Sequence, residues 1–210
     1  MNGRLCAKLQ ERKAEGEERP VARYGTEHKE ATRRRILDTA GRRFKQDGID
    51  GSGIATLMGD ADLTNGAFYA HFQSKDDLVA NVITEELRVQ CERIRALPPG
   101  PAALEGFVRD YLSPDHRDLR AEGCPSAALL DEIGRCDDRS RQSYTAGAEA
   151  IVDVIATHLA PKNPRSARGR ALGLFTLLVG TLQLSRAIAD SKFSDEVLKH
   201  GIHNSRTFIR

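Results

Sequence analysis

The stretch from Leu63 to Lys75, LTNGAFYAHFQSK, decides how this chain folds. Two Phe and one Tyr fall within residues 68–72 of this stretch, in a chain whose aromatic content is only 5%. Four small or polar residues, 64–67, precede them. A segment that begins with small or polar residues and continues with aromatic ones has two separate tasks. The flanking sequence helps to define them.

Apolar residues at helical spacing occur on both sides of this stretch. The stripe before it predicts an amphipathic helix that ends at Gly48, since Gly favours the C-terminal end of a helix. That stripe consists of Ile36, Leu37, Ala40 and Phe44. Ser52 predicts the N-cap of a short helix carrying Ile54, Leu57 and Met58. Thr64 predicts the N-cap of a second short helix.

Two short helices joined by a tight break, after one amphipathic helix, form the helix-turn-helix arrangement. The second helix of such a pair lies in the major groove of DNA, with its N-terminal residues toward bases and phosphates. The small residues 64–67 would let the backbone approach DNA closely. Phe68 and Phe72 are predicted to pack inward against Phe44 and Leu57.

The rest of the chain also shows helical periodicity. Ser74 to Asp77 predicts a capping box that opens a long helix at 74–97, which stops at Pro98-Pro99-Gly100-Pro101. Further helices are predicted at 102–112, 125–135, 138–159, 167–189 and 195–209. The predicted fold is all-α, with an N-terminal three-helix helix-turn-helix domain and a C-terminal helical bundle.

The predicted domain boundaries follow from this pattern. Residues 1–27 are polar and aperiodic and are expected to form a flexible arm, 28–75 the helix-turn-helix domain, and 76–210 the helical domain. One hypothesis is an alternative start at Val21, with residues 1–20 outside the native protein.

Composition argues against several classes of protein. A net charge of +2 indicates no particular partner. The longest apolar stretch, 171–184, is shorter than the roughly 20 residues of a membrane span, and no secretory signal is visible. The four cysteines have no metal-ligand spacing. We therefore predict no membrane association, metal, cofactor or enzymatic activity, and a cytoplasmic location; His200 and His203 alone are too few to hold a metal.

The run 48–78, GIDGSGIATLMGDADLTNGAFYAHFQSKDDL, resembles the DNA-binding domain of the TetR/AcrR family of bacterial repressors. The matching residues are Gly48, Ala61, Thr64 in place of Ser, Gly66, Phe68, Tyr69, His71, Phe72, Ser74, Lys75 and Leu78. The resemblance implies contacts to double-stranded DNA from Ser52, Thr64, Asn65, Gly66, Ala67, Tyr69, His71 and Lys75. It also implies an N-terminal arm near the DNA backbone or minor groove, here Arg23, Arg33 and Arg34.

Two positions depart from the family pattern. Asp62 stands where the family usually has Gly at the turn, and Asp tolerates the left-handed conformation that such a turn needs. Asn65 replaces what is often a Lys. With Asp60 and Asp62 close to the DNA, phosphate attraction is expected to be weak.

The resemblance further implies a homodimer that binds a palindromic operator and releases it when a small-molecule effector occupies the C-terminal bundle. The candidate pocket residues are Phe107, Tyr111, Cys124, Leu129, Tyr144, Phe175 and Gln183. The candidate dimer-interface residues are Gly173, Leu177, Gly180, Leu184, Val197 and Leu198. Few polar groups are poised to bind a charged ligand, so a modest apolar or electrophilic effector is expected.

Three hypotheses remain open on the sequence alone. The first is a ligand-responsive dimeric repressor. The second is a helical enzyme or ligand-binding protein whose helix-turn-helix is structural only. The third is a redox- or electrophile-sensing repressor that acts through Cys124, which is predicted to stand at a helix N-terminus, with Cys136 as a redox partner.

Overall fold

The computed structural model describes the backbone of residues 20–210 and the side chains of residues 27–210. This part of the chain contains ten α-helices, one 3-10 helix (Arg120–Glu122) and no strand, which confirms the predicted all-α fold. The α-helices are α1 (Pro20–Asp47), α2 (Ile54–Asp60), α3 (Asn65–Phe68), α4 (Lys75–Arg95), α5 (Pro101–Tyr111), α6 (Pro114–Asp118), α7 (Pro125–Ile133), α8 (Asp138–Leu159), α9 (Pro164–Ala187) and α10 (Ser191–Ile209).

The chain divides into two compact units, residues 1–34 and residues 35–210. Helix α1 begins at Pro20, so residues 20–27 of the predicted arm are helical. The proline at the first helical position and the helix-forming Ala, Arg, Glu and Lys that follow favour this start. Residues 1–19, which make up the rest of the predicted arm, lie outside the described residues. The boundaries at 28 and 76 stay predictions.

Local sequence signals set most helix ends. Five of the α-helices described begin with Pro, which has the backbone angle that a first helical residue needs, and Pro125 is one of them as predicted. Ser74, Asp137 and Asp190 accept a hydrogen bond from a backbone N–H in the first turn of their helices. Helix α6 and the 3-10 helix were not predicted, because segments of five and three residues are too short to show a helical period.

The two ends that frame α2 use left-handed residues. Gly48 has φ of 85° and donates its N–H to the carbonyl of Phe44, as expected of a C-terminal Gly. Asp62 has φ of 52° and is the only non-glycine with positive φ in the described part of the chain. Its N–H bonds the Gly59 carbonyl at 3.0 Å, and the next N–H, from Leu63, bonds the Met58 carbonyl at 2.8 Å. This pair of bonds is the Schellman motif, which turns the chain from α2 toward α3.

Ser52 does not cap α2 as predicted, because Gly53 occupies the N-cap position. The Ser52 hydroxyl instead donates to the Gly48 carbonyl at 3.0 Å, where it satisfies an acceptor at the end of α1. A Ser one residue before the N-cap can bond either the first turn of the following helix or the last turn of the preceding one. The chain reversal after α1 brings the Ser52 hydroxyl to the end of α1.

One apolar core runs from the three-helix segment (residues 35–72) into the helical bundle (α4–α10). Phe44, Leu57, Phe68 and Phe72 are buried in it, as predicted, together with the inward face of α4. In the bundle, α4 packs on α8, α8 on α9, and α9 on α10, while α5 lies against α10.

Two residues of the predicted dimer interface lie inside the chain instead. A Cβ atom on Gly173 would meet the Phe208 ring of α10, so this glycine allows α9 and α10 to approach each other. Leu198 is buried in the core of its own chain. Helical spacing shows that a small or apolar residue is packed, but not whether its neighbour belongs to the same chain.

Gly147 of α8 permits the close approach of α4. A Cβ atom there would lie 2.6 Å from Cβ of the buried Leu87, whose position cannot shift without moving α4. We expect Gly147→Ala to lower the free energy of unfolding by about 1–3 kcal/mol through overpacking. As a matched control, Gly169→Ala on α9 has no atom within 4 Å of the new Cβ and should raise stability by up to about 1 kcal/mol. Urea unfolding measures both, and equal effects would contradict the close approach.

Candidate nucleic-acid interface and effector domain

The first turn of α3 lies at the surface of the three-helix segment. Thr64 takes the N-cap position, and its side chain makes no capping hydrogen bond. Thr64, Asn65 and Gly66 are exposed, while Ala67 is half-buried. This surface combines free backbone N–H groups, a hydroxyl and an amide, the groups that bind phosphates and base edges.

Tyr69 projects from the same helix and is held in place by the core beneath it. Its side chain is 70% exposed, whereas Phe68 is 0% exposed. The Tyr69 ring meets the Phe68 ring edge-on, with centroids 5.2 Å apart and planes at 88°. Phe68 in turn lies 5.7 Å from the Phe72 ring. The buried pair therefore fixes the direction in which the exposed phenol points.

His71 and Lys75 complete the surface. Both side chains are half-buried, and the His71 ring lies 6.4 Å from the Phe72 ring. Lys75 is the first residue of α4, after the N-cap Ser74. The predicted capping box is present in altered form, because the Asp77 carboxylate accepts from the Gln73 N–H at 2.9 Å and the Asp77 N–H donates to Ser74 Oγ at 3.1 Å.

Charge near this surface is balanced more closely than the sequence suggested. Arg43 forms ion pairs with Asp60 at 3.0 Å and with Asp47 at 2.8 Å. The negative charge of Asp60 is therefore compensated. Asp62 is exposed and forms no ion pair among the described residues, so its charge remains.

Two residues that were predicted to contact DNA, Ser52 and Arg33, are not part of the surface described above. Ser52 is 1% exposed, and its N–H and hydroxyl bond the carbonyls of Ile49 and Gly48, so its side chain is not on the surface and the prediction for it is wrong. Burial of the chain reversal after α1 is the reason. Arg33 is half-buried and belongs to the unit of residues 1–34. Its contact to DNA stays a prediction, while Arg23 lies outside the described side chains.

Comparison with known proteins matches the same segment. Residues 36–82 match the model of the family described as bacterial regulatory proteins, tetR family. This span includes α2, α3 and every exposed residue of the surface described above. This segment is of the TetR/AcrR type.

Individual proteins resemble this chain in two ways, in the sequence of one segment and in the fold. The HTH-type transcriptional regulator AcrR of Shigella flexneri is 36% identical over 62 residues, which are 30% of this chain and 29% of that protein. The match therefore spans less than a third of that relative. Among solved structures, reduced NemR of E. coli has a TM-score of 0.72 at 18% identity, over 84% of this chain and 96% of that one. FadR of Bacillus subtilis, in complex with stearoyl-CoA, has a TM-score of 0.56 at 16% identity, over 80% and 96%. These structural likenesses support the fold alone.

Polar contacts connect α1 with the helical bundle. Lys45, only 5% exposed, pairs with Glu86 of α4 at 2.7 Å. The Ile49 N–H, just after the end of α1, donates to the Glu132 carboxylate of α7 at 2.7 Å. Arg42 pairs with Glu122 at 2.5 Å. None of these partners followed from the sequence, because residues 41 to 83 positions apart carry no local signal.

An apolar groove of about 510 Å³ lies between α8 and α9. Three predicted pocket residues line it: Tyr144, Phe175 and Gln183. Leu130 also lines it, whereas the predicted Leu129 is buried in the core and is not part of this groove. Phe107, Tyr111 and Cys124 are not part of this groove. Helical spacing predicts that such residues are apolar and inward, but cannot separate core from pocket.

A buried polar cluster stands behind the groove, where Tyr144 donates its hydroxyl to Ser126 at 3.1 Å. The His116 ring bridges two backbone groups, because Nε2 accepts from the Cys124 N–H at 3.0 Å and Nδ1 lies 2.7 Å from the Tyr111 carbonyl. Since Nε2 accepts, the neutral ring carries its proton on Nδ1 and donates it to Tyr111. Burial raises the pKa of the Tyr111 hydroxyl well above its usual range, and the nearby Cys124 thiol adds to the rise.

Burial lowers the pKa of His116, the hydrogen bond to the Tyr111 carbonyl opposes that shift, and the charge of Arg186 lowers it further. The folded protein therefore takes up a proton on this residue at lower pH than the unfolded chain does. Its contribution to stability is present above the ordinary histidine pKa of about 6.5 and is lost as pH falls below it.

We expect the free energy of unfolding of the wild type to fall between pH 7.5 and 5.5. His116→Gln should reduce the slope of this decrease with pH. His203→Gln, at an exposed site, is the control and should keep the wild-type slope. Equal slopes in all three proteins would contradict the assignment.

Proposed function

We propose that this protein is a homodimeric transcriptional repressor that leaves its operator when a small molecule binds. One observation carries the proposal: an exposed polar first turn on α3, fixed by two buried phenylalanines, within the segment that matches the family model. In this reading α3 enters the major groove, where Asn65 contacts a base edge or phosphate and Tyr69 a phosphate.

The groove between α8 and α9 is the proposed effector site. Its lining is mostly apolar, with Gln183 and the Tyr144 ring available to orient a ligand. FadR, a structural neighbour, is described with stearoyl-CoA, which has a long apolar chain. We infer an effector with a substantial apolar part for this chain as well.

The contacts of Glu86 and Glu132 with α1 supply a route from this site to DNA. A ligand that displaces α8 also acts on α4, because Gly147 and Leu87 hold these helices together. Movement of α4 must then carry α1 with it or break the buried Lys45–Glu86 pair. The effector would favour the arrangement in which the two α3 helices no longer match successive major grooves.

The proposed dimer face is the outer side of α9. Leu172 and Leu184 are 55% and 54% exposed on this helix, and Gly180 between them has open space around it. Exposed leucines on one helix face are typical of a protein–protein contact. A second copy placed here would also cover the open side of the groove. Leu177 and Val197, both half-buried, stay candidates for the same interface.

The test of the proposed DNA surface is a gel shift with DNA from upstream of the protein's own gene. We expect Asn65→Ala or Tyr69→Ala to weaken specific binding by about tenfold or more, since one good base contact contributes about 1–3 kcal/mol. Gln142→Ala, an exposed polar change on α8, should bind like the wild type. Absence of any specific shift by the wild type at low salt would refute the proposal.

The charge of Asp62 gives an independent arm of that experiment. Asn tolerates the left-handed turn as Asp does, so Asp62→Asn removes charge while keeping the backbone. We expect stronger binding to unrelated DNA at low salt and a difference that shrinks as salt rises. A wild-type salt dependence too steep for the few Lys and Arg near α3 would contradict the weakly charged surface.

Dimerisation can be tested on α9. Leu184→Glu should give a monomer by size exclusion with light scattering, and should lose operator affinity because half-sites are bound in pairs. Leu119→Glu is the matched control, since Leu119 is 60% exposed but belongs to the C-terminal end of α6 and not to α9. If the Leu184→Glu protein remains dimeric, the dimer interface does not lie on this face of α9.

The alternative of redox sensing through Cys124 gains no support from the described residues. Cys124 takes the predicted N-cap position of α7, but its side chain is 1% exposed, and Cys136 is half-buried. A thiol enclosed by the core packs as a small apolar group. We therefore retain the ligand-responsive repressor as the proposal.

A further inference from the structure

A second cavity, of about 520 Å³, lies at the junction of α6, the 3-10 helix, α9 and α10. It differs in chemistry from the groove between α8 and α9, because its walls are predominantly polar. Three arginines line it, with Gln46 from α1 and Ser191 from the first turn of α10. The arginines are Arg117, Arg120 and Arg186.

Only one of these arginines has its charge balanced. Arg117 pairs with Asp118 and Asp195, each at 2.7 Å. Arg186 donates to three backbone carbonyls instead, those of His116, Arg117 and Ala127, at 2.7 to 3.1 Å. Carbonyls hold a guanidinium in place but carry no net charge. Among the described residues, neither Arg186 nor Arg120 is in an ion pair with a carboxylate.

Arg186 is half-buried, which makes its uncompensated charge costly. Burial lowers the pKa of this guanidinium, and the positive charge of Arg120 lowers it further. Two positive groups are thus brought close to each other at the edge of a cavity that contains no matching negative group beyond Asp118. The three carbonyl bonds use three of the five N–H donors of Arg186, so two remain for another acceptor.

We propose that this cavity binds a small organic anion bearing a carboxylate or phosphate group. Arg120 and the remaining donors of Arg186 would bind the anionic group, as guanidinium groups do in paired contacts. Ser191 and Gln46 would contact the polar remainder. The volume is in the range of small-molecule sites and exceeds what an inorganic ion needs.

The site is independent of the proposed apolar effector groove. It lies at the C-terminal end of α9, whereas the groove is formed by the middle of α8 and α9. It also includes Gln46, which is on α1 next to Lys45. An anion bound here would therefore contact both the bundle and the helix that precedes the helix-turn-helix.

Titration calorimetry of the full chain without DNA tests the inference. The probes are inorganic phosphate and citrate, with chloride at matched ionic strength as the blank. We expect saturable binding of at least one probe to the wild type. Arg120→Gln should weaken that binding by at least about tenfold, the loss of one contact between charged groups. Phosphate binding alone would identify the phosphate group, and citrate binding alone the carboxylate.

Arg165→Gln is the matched control. Arg165 is exposed in the first turn of the same helix, about 30 Å from Arg186 at 1.5 Å per residue, so binding should be unchanged. Thermal unfolding of each variant shows whether it is folded; Arg120 is exposed and its replacement should not alter stability. Binding that follows chloride, or that is equal in the wild type and Arg120→Gln, would overturn the proposal. Because no DNA is present, neither result depends on the repressor function.

Discussion

The burial of Phe68 and Phe72 is the constraint on which the recognition surface depends. Helix α3 has four residues, and isolated helices shorter than about 12 residues are marginal in water. Differences in helix propensity are worth at most about 0.7 kcal/mol per ordinary residue, whereas burying one Phe side chain contributes about 1.5–3 kcal/mol. The core therefore forms α3, and intrinsic preference does not. The same packing gives Tyr69 its direction, so stability and recognition come from one cluster of rings.

The second constraint is the attachment of α1 to the bundle. A backbone N–H just beyond a helix end needs a partner, and the Glu132 carboxylate supplies one for Ile49 from 83 residues away. The Lys45–Glu86 pair is nearly enclosed, where a lost partner would leave a buried charge. The Ile49–Glu132 and Lys45–Glu86 contacts are both 2.7 Å long, so a shift of one partner either moves the other or breaks the contact. In the proposed mechanism, a change in α4 or α7 would therefore displace the helix-turn-helix segment.

Sequence patterns were sufficient where the cause is local. Gly48, Ser74 and Pro125 act through their own backbone angle or a side chain within one turn, and their positions as helix ends were predicted. The aromatic pair of α3 was also predicted, because a spacing of four defines a helix face. Prediction failed where the deciding neighbour is distant in sequence. Gly173 and Gly180 look alike along α9, yet one faces Phe208 and the other faces open space. The choice of Leu130 over Leu129 for the groove, and the role of Glu132, depend in the same way on the packing of α7.

The distribution of charge connects the two halves of the molecule. Near α3, Arg43 forms ion pairs with two carboxylates. Its positive charge is therefore compensated within the protein and contributes little to the attraction of phosphates. Asp62 adds a negative charge at a turn where a glycine would meet the backbone requirement without one. We expect a surface of this kind to gain little from non-specific attraction, so its proposed affinity for DNA would come from fitted contacts of Thr64, Asn65 and Tyr69. In the helical bundle, Arg120 and Arg186 line one cavity and are in no ion pair with a carboxylate among the described residues. If both proposals hold, Arg120 and Arg186 would bind a small anion, while the surface around α3 would bind DNA mainly through shape and hydrogen bonds.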